Sequence, residues 1–200
     1  MKKPAVLLIV IVSVILTASA CGSGLPTPSV PEAAPTPGLA QEKGDEVMSL
    51  QLISTAFAAR QPIPARYSCL GQDVSPPLAW ADPPQGTQGF ALIADDPDAP
   101  VGIWVHWVLY NLPAGSRELP EVAPLDEKLG DGSLNGQNSW GRVGYGGPCP
   151  PAGTHRYFFR LYALDTQLDL PAGKDKKQVL KAMEGHILAQ AELMGTFTRP

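Results

Sequence analysis

One stretch, YGGPCPPAGTHRYFFRLY at residues 145–162, restricts the fold more than any other part of this chain. Its first half is rich in Gly and Pro, which free or fix the backbone at defined positions. Its second half, from His155 to Tyr162, is an aromatic and apolar run that predicts a buried strand. Because residues two apart on a strand point to the same face, His155 and Tyr157 should share one. A shaped loop that leads into a rigid strand is typical of a binding pocket.

The first 20 residues have the pattern of a signal peptide. Two lysines precede the apolar run Val6–Leu16, and small residues then lead to Cys21. The pattern resembles a bacterial lipoprotein signal, in which this cysteine carries the lipid, although Ala18 stands where such signals usually have leucine. The alternative is an ordinary secretory signal cut after Ala20. Both interpretations predict export, and the first predicts a lipid anchor on the extracytoplasmic face of the bacterial cell membrane.

A spacer and one folded domain should follow the signal. Residues 21–46 combine the lipidated cysteine with a Pro-rich segment that has no apolar periodicity, which predicts a disordered tether. Residues 47–200 are long enough for a single domain with a substantial core. Without residues 1–20 the chain has 13 basic and 19 acidic residues, because the signal contains two lysines. That acidic excess argues against nucleic-acid binding and leaves the anchor as the means of membrane attachment.

The domain is predicted to be mainly β. Apolar runs predict strands at 48–57, 89–95, 103–111 and 158–164, a short strand at 66–69, and a last short strand near Phe197. Residues 112–138 are polar and Gly-rich and predict a long loop. Helical spacing of apolar residues predicts one helix from Lys174 to Met194, in which His186 is a capping or surface residue. Short strands without βαβ alternation indicate packed antiparallel sheets.

Two further histidine and aspartate motifs are candidates for a site. His106 interrupts the apolar run IWVHWVLYN, and strict alternation would put it on one face with Trp104 and Val108. A lone buried histidine is either structural or functional, and the sequence leaves both open. Asp96 and Asp98 in DDPDAP either form a turn or orient a neighbouring imidazole and bind a polar ligand group. We expect no metal and no cofactor, since no metal-ligand spacing is present.

The remaining cysteines, Cys69 and Cys149, have two interpretations. In an exported chain they most simply form one disulfide. The alternative is a reactive Cys149 thiol beside His155. No other nucleophile has a local signature, and we therefore expect no catalytic residues.

Five segments of the chain together resemble the phosphatidylethanolamine-binding protein family, in particular its bacterial Raf-kinase-inhibitor-like branch. The segments are DVSPPLAW (73–80), ADDPDAP (94–100), WVHWVLYNLP (104–113), GYGGPCPPAGTHRYFFRLYAL (144–164) and, more weakly, GHILAQAELMGTF (185–197). The resemblance implies a β-sandwich of two antiparallel sheets with a C-terminal helix. It also implies a small pocket at one edge for phosphate-like groups.

The resemblance assigns the residues of that pocket by motif. Its ligand-binding residues would be Asp96, His106, Gly147, Pro148, Pro150, Pro151, His155 and Tyr157, supported by Asp98 and Trp104. Imidazole, phenol and loop N–H groups are donors suited to phosphate oxygens. Protonation of histidine would then make anion binding tighter at about pH 5.5 than at about pH 8. Arg156 should point away from this face and serve as a sheet-face or ion-pair residue.

Three functions compete. The first is a binding protein for a small phosphorylated ligand, a phospholipid head group or a phosphorylated protein partner. The second is an inhibitor or regulator of an extracytoplasmic enzyme such as a protease. The third is a phosphoester hydrolase that uses Asp96, His106 and His155 as acid and base groups, although no positioned nucleophile accompanies them.

Overall fold

The computed structural model describes residues 49–200. The expected signal peptide, the lipidated Cys21 and the tether lie outside the described residues. Within residues 49–200, no helix is both long and apolar enough to cross a membrane.

Two antiparallel sheets and one helix make up the described domain. The strands are β1 (Gln51–Ile53), β2 (Leu78–Ala81), β3 (Gly89–Asp96), β4 (Trp104–Pro113), β5 (Glu118–Leu119), β6 (Leu134–Asn135), β7 (Gly153–Leu164) and β8 (Ile187–Arg199), and the helix is α1 (Lys176–Met183). The smaller sheet has the order β1-β2-β5, and the larger has the order β6-β4-β3-β7-β8. The prediction of a mainly β fold with two antiparallel sheets is confirmed.

Both faces of the larger sheet are covered, which explains the continuous apolar run in β3. One face packs against the smaller sheet, where Trp80 of β2 meets Phe90 at 5.4 Å between ring centroids. The other face packs against α1, whose Val179 and Met183 are fully buried beside Ile93. All eight residues of β3 are therefore buried, and the strand shows no alternation of buried and exposed positions.

The predicted helix from Lys174 to Met194 is wrong in its second half. The helix ends at Met183, Gly185 takes a left-handed conformation with φ of 81°, and β8 then pairs with β7 along nearly its whole length. Sheet pairing outweighs the helical spacing here, because β8 forms a continuous hydrogen-bonded ladder with β7 and its alternate side chains enter the core. His186 lies in the turn before β8, where its Nδ1 is 2.8 Å from Asp165 Oδ1.

Smaller differences concern element boundaries. The predicted strand at 66–69 is instead a single 3₁₀ turn, Ala65–Tyr67, and β1 is shorter than the predicted 48–57. The predicted loop at 112–138 contains β5 and β6. Strand β7 begins at Gly153, so His155 and Tyr157 are strand residues, and Phe197 belongs to a strand of 13 residues.

Candidate functional site

A cavity of about 190 Å³ opens where the ends of β3 and β4 meet the Gly/Pro loop at 145–152. The polar and aromatic side chains that line it are Asp96, Trp104, His106 and Trp140, and the Gly/Pro loop adds Pro150 and Pro151. A larger groove of about 630 Å³ lies between α1 and β4 and contains none of the predicted site residues. The smaller cavity is therefore the candidate site.

A β-bulge aims His106 into this cavity. In the pairing of β3 with β4, Ala94 faces Trp107 and Asp95 faces Val105, so His106 is the extra residue. His106 and Trp107 consequently both lie on the face away from α1, whereas Val105 and Val108 pack towards α1. Strict alternation, which placed Val108 with His106, is wrong for this strand because bulges redirect side chains.

The imidazole of His106 is held in one tautomer. Its Nδ1 lies 2.7 Å from the carbonyl oxygen of Gly146, and the Gly146 N–H donates back to the His106 carbonyl at 2.9 Å. A carbonyl only accepts, so Nδ1 carries the proton. Burial lowers the pKa of His106 below its usual value, which keeps the ring neutral near pH 7 and leaves a lone pair on Nε2.

Asp96 and His155 form a buried pair beside His106. Asp96 Oδ2 lies 2.7 Å from His155 Nδ1, and Asp96 Oδ1 accepts the backbone N–H of Asp98 at 2.8 Å. Both side chains are buried. The predicted contact between this carboxylate and a neighbouring imidazole is present, and the imidazole is His155, which lies behind the cavity wall.

The hydroxyl of Tyr157 has no satisfactory hydrogen-bond partner among the described residues, although Tyr157 is only 2% exposed. It lies close to the Asp96 carboxylate and to the backbone N–H of Cys149, without good geometry to either. Burial and the nearby Asp96 charge raise the pKa of Tyr157, so the phenol stays protonated. An unsatisfied buried donor beside a cavity is a group available to a ligand.

The Gly/Pro loop offers fewer donors than the sequence suggested. The N–H of Gly147 donates to Asp73 Oδ1 at 2.6 Å, and the carbonyl of Pro148 accepts the Cys69 N–H at 3.1 Å. Gly147 and Pro148 thus join the loop to the segment at 67–73 and are not on the cavity surface. Prolines have no N–H, so in 147–151 only Cys149 retains a donor that faces Tyr157.

The disulfide between Cys69 and Cys149 is present, and it closes a loop with a sequence separation of 80 residues. The alternative of a reactive Cys149 thiol is therefore wrong for this structure. Because Cys149 also lines the cavity, the disulfide fixes one wall of it to the 67–73 segment.

Asp98 lies outside the cavity wall. It receives two hydrogen bonds from the Arg156 guanidinium, at 2.6 and 2.9 Å, and a third from the Arg156 backbone N–H at 3.0 Å. These bonds lower the pKa of Asp98 to about 2. Arg156 is an ion-pair residue, as expected, and it points away from His155 and Tyr157.

Trp140 lines the cavity but was not among the site residues predicted from the sequence. It comes from the loop at 136–146, which covers the edge of β4, and its ring packs edge-on against Trp104 at 5.3 Å and His106 at 5.0 Å. A tryptophan within a polar, Gly-rich stretch was the available sequence signal. Among the described residues, no group of three or more His, Cys, Asp or Glu side chains is placed to hold a metal ion.

Comparisons with known proteins agree on one family. A family model described as "Phosphatidylethanolamine-binding protein" matches residues 53–198. A UPF0098 protein of Methanothermobacter thermautotrophicus is 53% identical over 150 residues, covering 75% of this chain and 99% of that protein. A UPF0098 protein of Aquifex aeolicus is 47% identical over 153 residues, covering 75% of this chain and 89% of that protein.

Two solved structures share the fold. One is described as a putative phosphatidylethanolamine-binding protein homologue from Chlamydia trachomatis, with a TM-score of 0.71, 43% identity and coverage of 76% of this chain and 99% of that one. The other is E. coli YbcL, described as a new member of the mammalian PEBP family. It has a TM-score of 0.71, 30% identity and coverage of 76% of this chain and all of that one.

Proposed function

This chain belongs to the phosphatidylethanolamine-binding protein family, and from that premise we propose that its cavity binds a phosphate-like group. The observation that carries the proposal is the buried Tyr157 hydroxyl, which lacks a good partner among the described residues and lies next to Asp96 and Cys149, two residues that line the cavity. An unsatisfied buried hydroxyl costs roughly 1–3 kcal/mol, and a ligand oxygen would recover that cost. The Cys149 N–H approaches the same point and would be a second donor.

The size and composition of the cavity limit what enters it. A volume of about 190 Å³ accommodates a phosphate group with a short substituent, so the remainder of a larger ligand would stay outside. Among residues 49–200, no Lys or Arg lines the cavity. Binding would therefore depend on a few hydrogen bonds and should be modest in affinity.

Tryptophan fluorescence gives a direct test, because Trp104 and Trp140 both line the cavity. We expect methyl phosphate to change the fluorescence of the full chain with a saturable dependence. Tyr157→Phe should weaken that binding about tenfold, as expected for one hydrogen bond to a charged group. Tyr162→Phe is the matched control, since Tyr162 lies on the same strand but packs in the cluster beside α1. Equal affinities of wild type and Tyr157→Phe would refute the proposal.

We propose further that the protein binds its ligand without turning it over. The Asp96–His155 pair could act as acid and base, but Cys149, the cysteine in the cavity wall, has no free thiol because it is bonded to Cys69. A phosphoester screen should therefore show no hydrolysis. Hydrolysis that is lost in His155→Ala and retained in His186→Ala would refute the proposal of binding without turnover.

The proposed location is the extracytoplasmic face of the cell membrane, with lipid on Cys21 as the anchor. The support is the signal pattern of residues 1–21. Membrane fractionation of the full chain should find the wild type with the membrane and Cys21→Ser released from it. Retention of Cys21→Ser in the membrane fraction would contradict the anchor.

A further inference from the structure

The groove of about 630 Å³ between α1 and β4 has the size and the lining of a ligand site. Small-molecule pockets typically have volumes of roughly 300–1,000 Å³. The floor of the groove is apolar: Val105 and Leu180 pack on the cluster beside α1, and Ile103 is 60% exposed. Within residues 49–200, no residue lines both this groove and the cavity at the ends of β3 and β4. The groove is therefore a separate surface, and exposed apolar surface of this kind marks interaction sites.

The rim of the groove is cationic, although the chain as a whole is acidic. Of the five lysines in residues 49–200, four lie between 174 and 181, and the fifth is Lys128. Three of the four, Lys176, Lys177 and Lys181, line the groove. The chain without its signal has 19 acidic and 13 basic residues, so this concentration of lysines stands against the overall charge. The groove therefore favours anions locally.

Two of the three lysines have no internal partner. Lys176 is bonded to the buried Asp95, which also accepts from Arg160 at 2.8 Å, so the charge of Lys176 is already neutralised. Lys177 and Lys181 are exposed, and neither forms an ion pair with the rest of the described domain. They are four residues apart on α1 and therefore lie on one face of it. Both ammonium groups are free for an anion in the groove.

The acidic groups of the groove offset only part of this charge. Asp175 caps α1, and its carboxylate accepts a backbone N–H of the first turn at 2.8 Å. Glu184 is exposed at the other end of the helix. Lys174 and Arg142 accept backbone N–H groups of residues 137 and 138, which line the groove, and they add positive charge nearby. The balance of charge around the groove is therefore positive.

We propose that this groove is a second binding site, which takes a small amphiphilic carboxylate. The apolar body of the ligand lies on Ile103, Val105 and Leu180. Its carboxylate accepts hydrogen bonds from Lys177 and Lys181, which are charge-assisted. A cationic amphiphile would meet like charges, and a neutral one would gain nothing from the two ammonium groups. The site is independent of the phosphate-binding function proposed for the cavity.

Decanoate is a suitable probe, because it combines one carboxylate with a flexible apolar chain. Calorimetric titration of the wild-type full chain should show saturable binding. The affinity should rise about twofold for each methylene from hexanoate to decanoate, which is half the free energy of burying a methylene completely. Decyltrimethylammonium has the same chain with the opposite charge and should bind at least about tenfold more weakly.

Two sets of variants test the assignment. The double variant Lys177→Gln/Lys181→Gln removes both cations and should weaken decanoate binding about tenfold, whereas Lys128→Gln removes an exposed lysine elsewhere and should leave it unchanged. Ile103→Asp places a carboxylate on the apolar floor and should weaken binding by at least about tenfold. Ile53→Asp is its matched control, because Ile53 is 55% exposed and lies on β1.

Equal affinity of the wild type and the double variant for decanoate, or equal affinity of the wild type for decanoate and decyltrimethylammonium, would overturn the proposal. If Tyr157→Phe weakened decanoate binding and the double variant did not, the carboxylate would occupy the cavity and the groove assignment would fail. Self-association that is lost in Ile103→Asp, in the absence of decanoate binding, would assign the groove to a second copy of the chain and also overturn the proposal. Methyl phosphate should bind the double variant and the wild type equally, so the two sites can fail separately.

Discussion

Replacement of Tyr157 by phenylalanine removes a hydroxyl that is buried without a satisfactory partner among the described residues. Such a group costs roughly 1–3 kcal/mol of folding free energy, and the nearby Asp96 carboxylate and Cys149 N–H recover part of it. We therefore expect Tyr157→Phe to raise the free energy of unfolding by up to about 1 kcal/mol. For a chain of this size that gain raises the melting temperature by about 2–4 °C. The same change should weaken methyl phosphate binding.

A second tyrosine provides the contrast. The Tyr110 hydroxyl is fully satisfied, since it donates to the carbonyl of Pro171 at 2.5 Å. Tyr110→Phe should lower the free energy of unfolding by about 1 kcal/mol or more, because the carbonyl loses its donor. Tyr162→Phe removes a hydroxyl remote from the cavity and should change stability little.

Urea denaturation of the three variants and the wild type, with the slopes compared to confirm equal exposed surface, measures these differences. The reasoning predicts opposite signs for Tyr157→Phe and Tyr110→Phe. Destabilisation of Tyr157→Phe by as much as Tyr110→Phe would show that the Tyr157 hydroxyl is satisfied in the free protein. The Tyr157 hydroxyl would then not be available as a donor to a ligand.

Three further predictions concern the frame of the site. Removing the disulfide with Cys69→Ala and Cys149→Ala frees a loop of 80 residues and should cost up to about 4 kcal/mol of stability, so an unchanged urea midpoint would contradict the chain-entropy account. Burial lowers the pKa of His106 below 6.5, so the unfolded chain takes up the proton first and stability falls as the pH drops below that value, by at most about 1.4 kcal/mol per pH unit. Urea midpoints at about pH 7 and about pH 5 should differ less in His106→Asn, and an equal difference would refute this. Gly147→Ala would place a Cβ 2.2 Å from the Tyr67 carbonyl oxygen and should destabilise by roughly 1–3 kcal/mol, whereas Gly153→Ala, with open space around it but a positive φ, should cost less.

Local sequence signals were sufficient to predict strands where turn residues flank an apolar run. Turn residues flank the apolar runs GFALIAD and WVHWVLYN, and the predicted ends of β3 and β4 agree with the observed ends to within two residues. The motif residues Asp96, His106 and Trp104 do meet at one cavity. These features follow from short-range patterns, because a buried strand needs an uninterrupted apolar run and a turn needs Gly, Pro or Asp.

The C-terminal region shows where local signals conflict. Residues 187–194 carry helical spacing, but Ala191, Leu193, Gly195 and Phe197 also alternate with period two, and all four are buried on one face of β8. Both patterns are present in the sequence. Only the availability of β7 as a partner, a tertiary fact, selects the strand.

The sequence by itself determined the class of fold, the family motifs and the residue types that can meet a phosphate, because these depend on composition and local order. The tertiary structure decided how those residues act. The bulge at His106 turns two successive side chains to one face, and pairing across 59 residues joins Asp96 to His155. The long-range bonds of Gly147 and Pro148 withdraw them from the site, and Trp140 arrives from a separate loop. Hydrogen-bond partners and burial are set by residues distant in the chain, so which groups remain free for a ligand becomes known only once the chain is folded.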